Sequence, residues 1–416
     1  MKKLNDYAED VYKCTKCGLC QSVCPVFEQT GLEAAVSRGK FTLLNGIITK
    51  DIEFTKKVSS YLDLCLSCDV CSDFCPSGIE AEEILTAAKH EAFKKGFVNP
   101  VKKLIIYLFN SNFFLNLIKY SLILYRITGV IKFTELFSGI LGKLGLKIKL
   151  LNRCLKINVN YKKFASKTTN ELNVVYFPGC INNYINPSVE NAVKMVFDVN
   201  GINYQIPDFE CCGIPARNAG DLESFIKHAR KNLDKIPDNI DYVITDCASC
   251  GSVWYMYAQV LEDKYRQKAF EIAQKTMNIN TLLTKIDLFI PDYTNEKQVV
   301  TYHDPCHLVR FQKVKEEPRK ILNKLPDVDF IEMQDSDKCC GASGNFFICM
   351  EKISKEISKQ KACNILATNA QIVSTSCPSC NIGIIQGLLE LNKDLPIFQP
   401  VELLANLYLK TMLNKP

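Results

Sequence analysis

The chain has 416 residues, 47% of them apolar, and a formal net charge of +6, which is enough for two or three domains with real cores. Its 21 cysteines would suit a disulfide scaffold only in a short secreted protein. This chain is long and Lys-rich, and its opening MKKLNDYAED carries two lysines but no apolar stretch, so no signal peptide is read there. Thiols grouped at ligand spacings in a reducing, cytoplasmic setting point to metal.

Residues 1–99 read as a dicluster module. Cys14–Pro25 is CTKCGLCQSVCP and Cys65–Pro76 is CLSCDVCSDFCP, both C-x2-C-x2-C-x3-C-P. Three thiolates two residues apart wrap one corner of an iron–sulfide cube, and a fourth has to arrive from elsewhere. In bacterial-type two-cluster ferredoxins the fourth Cys of each run serves the other run's [4Fe–4S] cluster. That rule assigns Cys14, Cys17, Cys20 and Cys75 to one cubane, and Cys65, Cys68, Cys71 and Cys24 to a second. Structural zinc would instead take C-x2-C pairs with longer gaps between them. Pro25 and Pro76 fix φ after the crossing ligand, and Gly18 relieves crowding near the sulfurs. The apolar spacing of Phe27–Leu64 predicts helices around the clusters. Ile79–Lys95 predicts another, capped by Ser77 or Gly78 and stopped by Gly96.

Residues 100–169 form a basic, apolar segment. Val101–Lys167 carries 13 Lys or Arg against one acid, Glu135, so the rest of the chain is net acidic. The longest charge-free run, Leu104–Ile118, has 15 residues and includes Asn110, Ser111, Asn112 and Asn116, whereas a spanning helix needs about 20 apolar residues. The expectation is a pair of basic, aromatic-rich helices that lie on an anionic membrane surface or on a partner subunit. A helical linker packed on its own domains is the alternative.

From Asn173 onward, apolar runs alternate with helical patterns, as in βαβ units with parallel sheets. Val174–Phe177, Tyr242–Thr245, Val299–Tyr302 and Ile372–Thr375 read as strands, and Ser188–Asn200 and Pro318–Leu325 as helices. The cysteines repeat as well. Cys180, Cys211-Cys212-Gly213 and Cys247-x2-Cys250 return as Cys306, Cys339-Cys340-Gly341 and Cys377-x2-Cys380. Two tandem α/β units explain this, at 170–296 and 297–416. The expected fold is therefore α+β overall: a helical ferredoxin-like module followed by two cysteine-rich α/β domains with mostly parallel sheets. The outer Cys groups follow strands at their carboxyl ends, where open α/β sheets place their sites. Eighteen cysteines fall in the four motifs, which leaves Cys154, Cys349 and Cys363 as expected small buried hydrophobes.

The C…CCG…C-x2-C pattern resembles the cysteine-rich domain of heterodisulfide reductase catalytic subunits. That resemblance implies a non-cubane [4Fe–4S] cluster on Cys180, Cys211, Cys212, Cys247 and Cys250, and another on Cys306, Cys339, Cys340, Cys377 and Cys380. One or two such clusters would then join the two cubanes. Zinc or an empty redox-active dithiol at Cys211-Cys212 or Cys339-Cys340 are the other readings. The whole layout, with HDPCHLVRFQKVKEEPRKILNKLP at His303–Pro326 and CCGIPARNAGD at Cys211–Asp221, resembles the iron–sulfur subunits of glycolate oxidase and anaerobic glycerol-3-phosphate dehydrogenase; the second stretch is also similar to lactate-utilisation iron–sulfur proteins. Glycolate oxidase subunits often lack a full cysteine set in these domains; both sets are complete here.

His303 and His307 flank Cys306 and are either structural, or ligate or tune a cluster; Asp304, Arg310 and Trp254 read as architectural. No G-x-G-x-x-G follows a strand, so no flavin is expected on this chain. The resemblance implies an electron-transfer subunit. It would take electrons from an FAD-containing dehydrogenase subunit that oxidises a 2-hydroxy acid or glycerol 3-phosphate, and pass them to a quinone or another carrier. It would sit peripherally on the inner face of the cell membrane, and no nucleic-acid partner is expected. A heterodisulfide-reductase-like thiol/disulfide oxidoreductase is the competing reading.

Overall fold

A computed structural model describes residues 2–128, 134, 148–155, 159–262, 264–293 and 296–412. Strands β1 (Asn173–Phe177), β2 (Asn203–Gln205), β3 (Tyr242–Thr245) and β4 (Thr276–Asn278) form a parallel sheet in the order β2-β1-β3-β4. Strands β5 (Gln298–His303), β6 (Val328–Ile331), β7 (Ile372–Thr375) and β8 (Ile397–Phe398) repeat it as β6-β5-β7-β8. The α+β architecture with two tandem parallel sheets is therefore as expected. The outer strands went unread because segments such as Asn203-Tyr204-Gln205 are too short and too polar to show a period.

Parallel strands are covered on both faces, and here alternate residues feed two different cores. Val175, Phe177 and Val243 face the core that contains the cysteines. Val174, Tyr176 and Ile244 face a second core, which also receives Val300, Tyr302 and Ile372 from the other sheet. That second core joins the repeats. Helix Ser188–Val199 packs on Pro400–Met412, and Ile279–Lys285 on Glu316–Lys324, so each repeat's first crossover helix meets the other's last helix. Tyr408 seals the seam: its hydroxyl donates to the Phe289 carbonyl at 2.8 Å and accepts from Asn200 Nδ2 at 3.1 Å.

The N-terminal module is helical, with Pro25–Thr30, Ser37–Ile48, Lys56–Leu62 and Ala81–Lys94 around a core that includes Leu44, Leu62 and Ala88. Pro25 is the first residue of its helix, where the missing N–H costs nothing. The last helix starts after Glu80, not at Ser77 or Gly78. It ends where Gly96 takes φ +76° and the Phe97 N–H reaches the Ala92 carbonyl at 2.9 Å.

The module is fastened to both repeats. Arg217 forks onto both carboxylate oxygens of Glu82, the longer bond being 2.8 Å, and His90 Nδ1 donates to the Gly220 carbonyl at 2.8 Å. On the other side, Arg310 pairs with Asp73 at 3.1 Å, and His307 Nε2 donates to the Ser67 carbonyl at 3.1 Å.

The basic segment forms the expected helices, Pro100–Phe109 and Asn112–Ile127. Among the described residues no helix is long and apolar enough to cross a membrane. The outer face exposes Leu104, Tyr107, Phe113, Tyr120 and Leu124, while Ile106 is buried against Ala216 and Ala219. Several cations turn inward: Lys102 pairs with Asp63, Lys119 donates to Asn183 at 3.0 Å, and Arg126 to the Leu155 carbonyl at 3.2 Å. Residues 129–133, 135–147 and 156–158, and with them Lys132, Glu135 and Lys143, lie outside the described residues.

Candidate metal centres

Each ferredoxin-type run coils into a short helix, Leu19–Val23 or Val70–Asp73, after a residue in the left-handed region, Gly18 at φ +90° or Asp69 at φ +59°. The two short helices pack together, which brings each fourth cysteine across to the other run. Cys14, Cys17, Cys20 and Cys75 line one cavity and Cys24, Cys65 and Cys68 a second, and Cys71 borders both. Cys17 is exposed, whereas Cys68 is buried.

The second cavity has a buried counter-charge. Lys40 is 1% exposed, and its Nζ donates to the Ala35 and Leu64 carbonyls, the latter at 2.9 Å. Burial pushes its pKa down, against the pull of the Cys65 and Cys24 sulfurs. Burial pushes the Cys68 and Cys71 thiols well up, so metal ligation is what would keep them as thiolates. Four convergent thiols beside a sealed ammonium fit an anionic cluster better than a bare cavity. The sequence held one clue to Lys40: it falls on the apolar stripe of its own helix, four residues before Leu44.

In each repeat the cysteines gather at the switch point of the sheet. Cys180 follows β1 and Cys247 follows β3, the adjacent strands between which the order reverses. Cys247 caps helix Ala248–Val260 and Cys250 lies in its first turn; Cys377 and Cys380 do the same for Pro378–Glu390. Free amides at a helix N-terminus favour thiolate over thiol. The glycine after each adjacent pair is obligatory. Gly213 and Gly341 have φ of +82° and +83°, and a Cβ would come 2.9 Å from the Phe225 ring or 2.8 Å from the Ser354 carbonyl.

The sulfurs follow one another without a break. Cys180 Sγ lies 3.8 Å from Cys211, and contacts continue through Cys212 and Cys250 to Cys247. Cys247 meets Cys377 of the other repeat, and from there the sequence runs through Cys380, Cys340 and Cys339 to Cys306. Hydrogen bonds from neighbouring thiols hold Cys211, Cys339 and Cys377 well below the ordinary thiol range. Cys68 of the second ferredoxin-type cavity packs in one apolar cluster with Cys339 and Cys306. Both sites open on one cavity of about 220 Å³, bounded by Cys180, Cys212 and Cys250 on one side and by Cys306, Cys340 and Cys380 on the other; Ile105, Phe109 and Phe347 also line it.

The second site has a buried cation and a buried imidazole beside it. Lys361 is buried, with its Nζ on the Asp335 and Ser336 carbonyls, and its pKa is pushed down to about 8 by burial. Burial, with Lys361 adding to it, pushes His303 down to about 3, so its ring is neutral. Asp304 is held by Arg319 at 2.9 and 2.6 Å, and Trp254 is buried among Phe177, Phe209 and Tyr257; both serve the architecture. The unassigned cysteines correct the expectation in part. Cys363 is exposed on its helix, and Cys154 and Cys349 are only half-buried.

Residues 10–79 match the 4Fe-4S dicluster domain family, and residues 174–253 and 300–385 each match the cysteine-rich domain family. An uncharacterized iron–sulfur protein of Methanococcus maripaludis is 36% identical over 242 residues, 56% of this chain and 46% of that protein, so the match spans about half its length. A probable glycolate oxidase iron-sulfur subunit of Bacillus subtilis is 26% identical over 397 residues, 91% of this chain and 89% of that protein. A subunit of the dihydromethanophenazine:CoB–CoM heterodisulfide reductase of Methanosarcina acetivorans is 24% identical over 424 residues, 94% of this chain and 92% of that protein.

Proposed function

From the premise that this chain is an iron–sulfur protein that joins a 4Fe-4S dicluster domain to two cysteine-rich domains, we propose that it is the electron-transfer subunit of an oxidoreductase complex. The carrying observation is the order of the cysteine sets. They run from the exposed Cys17, through the cavity of Cys24, Cys65, Cys68 and Cys71, to the Cys306 site and across to the Cys180 site. Clusters held on these sets would carry electrons one at a time between a donor at the module and an acceptor at the repeats.

In this reading Cys14, Cys17, Cys20 and Cys75 hold one cubane, and Cys65, Cys68, Cys71 and Cys24 the other. The five cysteines of each repeat hold one further, non-cubane [4Fe–4S] cluster. The chain divides at 1–99, 100–169, 170–296 and 297–416. Lys40 offsets negative charge in a dry site, and the Glu82–Arg217 and Asp73–Arg310 pairs hold the module against both repeats. The electron donor is an FAD-containing dehydrogenase subunit acting on a 2-hydroxy acid or glycerol 3-phosphate, a partner suggested by the near full-length similarity to the Bacillus subtilis protein. The acceptor is a membrane quinone. The exposed apolar face of Pro100–Ile127, with the exposed Lys103, supports peripheral attachment.

A second reading has its own support. Two five-cysteine sites facing one cavity could deliver two electrons to a disulfide lodged between them. One experiment separates the two. Full-length protein purified without air is assayed for iron and sulfide, then mixed with reduced viologen and an excess of a small disulfide. Uptake of a few electrons per chain without continued viologen oxidation supports the relay, and sustained oxidation coupled to thiol release supports the reductase. Protein that binds neither iron nor sulfide would sink both.

A further inference from the structure

The two cysteine-rich sites descend from one pattern, yet a donor stands in one and not in the other. Cys306 matches Cys180, so His303, three residues ahead of it, matches Phe177. Phe177 points into an aromatic group with Phe209 and Trp254, at centroid distances of 4.8 and 5.4 Å. His303, 0% exposed, brings a ring nitrogen to the second site. A nitrogen of its ring and the sulfurs of Cys340 and Cys380 all lie within 4.8 Å of one another.

The hydrogen bonding decides what that nitrogen can do. His303 Nδ1 lies 2.9 Å from the Ser336 carbonyl. A carbonyl oxygen only accepts, so Nδ1 carries the proton of the neutral ring and Nε2 is left with a lone pair. Nε2 is buried and has no hydrogen-bond partner. A lone pair sealed beside two thiols cannot donate a hydrogen bond to a cluster sulfide; it can bind a metal. A carbonyl on the far ring nitrogen is also the usual way in which a ligating imidazole is oriented. Neighbouring His307 differs: its Nδ1 meets Ser252 Oγ at 3.2 Å and its Nε2 the Ser67 carbonyl at 3.1 Å, so neither nitrogen is free.

We infer that His303 Nε2 is a metal ligand of the second cysteine-rich site, which therefore has six protein donors, five thiolates and one imidazole, where the first site has five thiolates. The inference rests on the iron–sulfur reading above and goes beyond it, because it makes the two sites chemically distinct. The added imidazole is neutral, so it changes the electron donation to that centre without changing the charge of its five thiolates. The buried Lys361 and Arg310 raise its reduction potential, since positive charge favours the reduced, more negative state. The second site, next to the ferredoxin-type module, is then the more easily reduced of the two.

The test uses full-length protein labelled with ¹⁵N-histidine, prepared without air and poised with dithionite. Pulsed EPR is expected to show a directly coordinated histidine nitrogen in one centre. His303→Phe, which installs the residue found at the matching position of the first site, is expected to abolish that coupling and shift the midpoint potential of one centre only. If the site fills with zinc, the zinc absorption edge is expected to show mixed sulfur and nitrogen ligands in the wild type. Iron-loaded protein with no histidine coupling, or a coupling that survives in His303→Phe, would overturn the assignment while leaving the relay intact; an all-sulfur zinc shell would overturn the assignment and, because zinc carries no electrons, the relay through this site as well. Should the variant fail to fold, the wild-type spectrum decides the assignment by itself. Protein that takes up no metal would overturn the relay as well, and so marks that separate failure.

Discussion

Removing the Arg217 guanidinium should loosen the module from the first repeat. Arg217 and Glu82 have side chains only 4% and 7% exposed, and the guanidinium meets both carboxylate oxygens. Arg217→Met leaves Glu82 buried without its guanidinium, with only the Thr86 hydroxyl donating to it at 3.0 Å, and stranding a buried charge in this way typically costs about 3–5 kcal/mol. At roughly 2–4 °C per kcal/mol for folding units of this size, the transition that includes the module should fall by about 6–20 °C. Calorimetry reads the shift, and thermolysin cleavage between the module and the repeats reports whether they have come apart. Replacing both partners, Glu82→Leu with Arg217→Met, should recover most of the loss, because an apolar pair no longer strands a charge. The pH dependence has a definite sign. Burial alone would raise the Glu82 pKa, but the Arg217 charge and its hydrogen bonds outweigh it and hold the carboxyl below its ordinary 4.5. The pair's contribution is therefore present above pH 4.5 and fades as pH falls through the lower folded value, so wild type and Arg217→Met should converge in acid. A single variant that costs less than about 1 kcal/mol, or a double variant no better than the single, would refute the reasoning.

Crossed ligation can be checked spectroscopically: Cys24→Ser should alter the same EPR signal as Cys65→Ser and leave that of Cys14→Ser, and each change should remove about four irons per chain. Surface attachment predicts that Phe113→Ser, Tyr120→Ser and Leu124→Ser together abolish flotation with anionic vesicles while the iron content stays unchanged, since these side chains are 72%, 68% and 60% exposed. Deleting the whole segment is the poorer test, because Lys102, Ile106 and Asn110 are anchored to the module and the first repeat. Burial pushes Glu402, at the seam between the repeats, up to about 7 from an ordinary 4.5. Its contribution is therefore complete below pH 4.5 and lost as pH rises through 7. Unfolding free energies of the wild type from urea titrations should fall over that range by up to about 3 kcal/mol, and those of Glu402→Gln should fall less.

The cysteine sets were legible because thiols betray themselves by spacing, and duplicated spacing betrays a duplicated fold. The buried runs that became β1, β3, β5 and β7 were legible for a similar reason, since a strand covered on both faces is apolar throughout. What could not be read was long-range. The meeting of Cys247 with Cys377 depends on the seam that packs Ser188–Val199 against Pro400–Met412, and no local pattern announces it. The basic segment misled through arithmetic: charge counted along the chain does not tell Lys102, folded inward onto Asp63, from Lys103 beside it, which faces solvent. The unpaired cysteines misled through averages, because Cys363 lies on the outer side of an amphipathic helix whatever its residue type prefers.

The solvent-facing position of Cys17 has a consequence for handling. A centre held at that rim would be the first that dioxygen reaches, whereas one beside Lys40 would be screened by packed side chains. Aerobic exposure should bleach the protein in stages, from the rim inward. The interior would keep its colour for a time after the entrance had been disconnected, so a brown solution alone does not certify an intact wire.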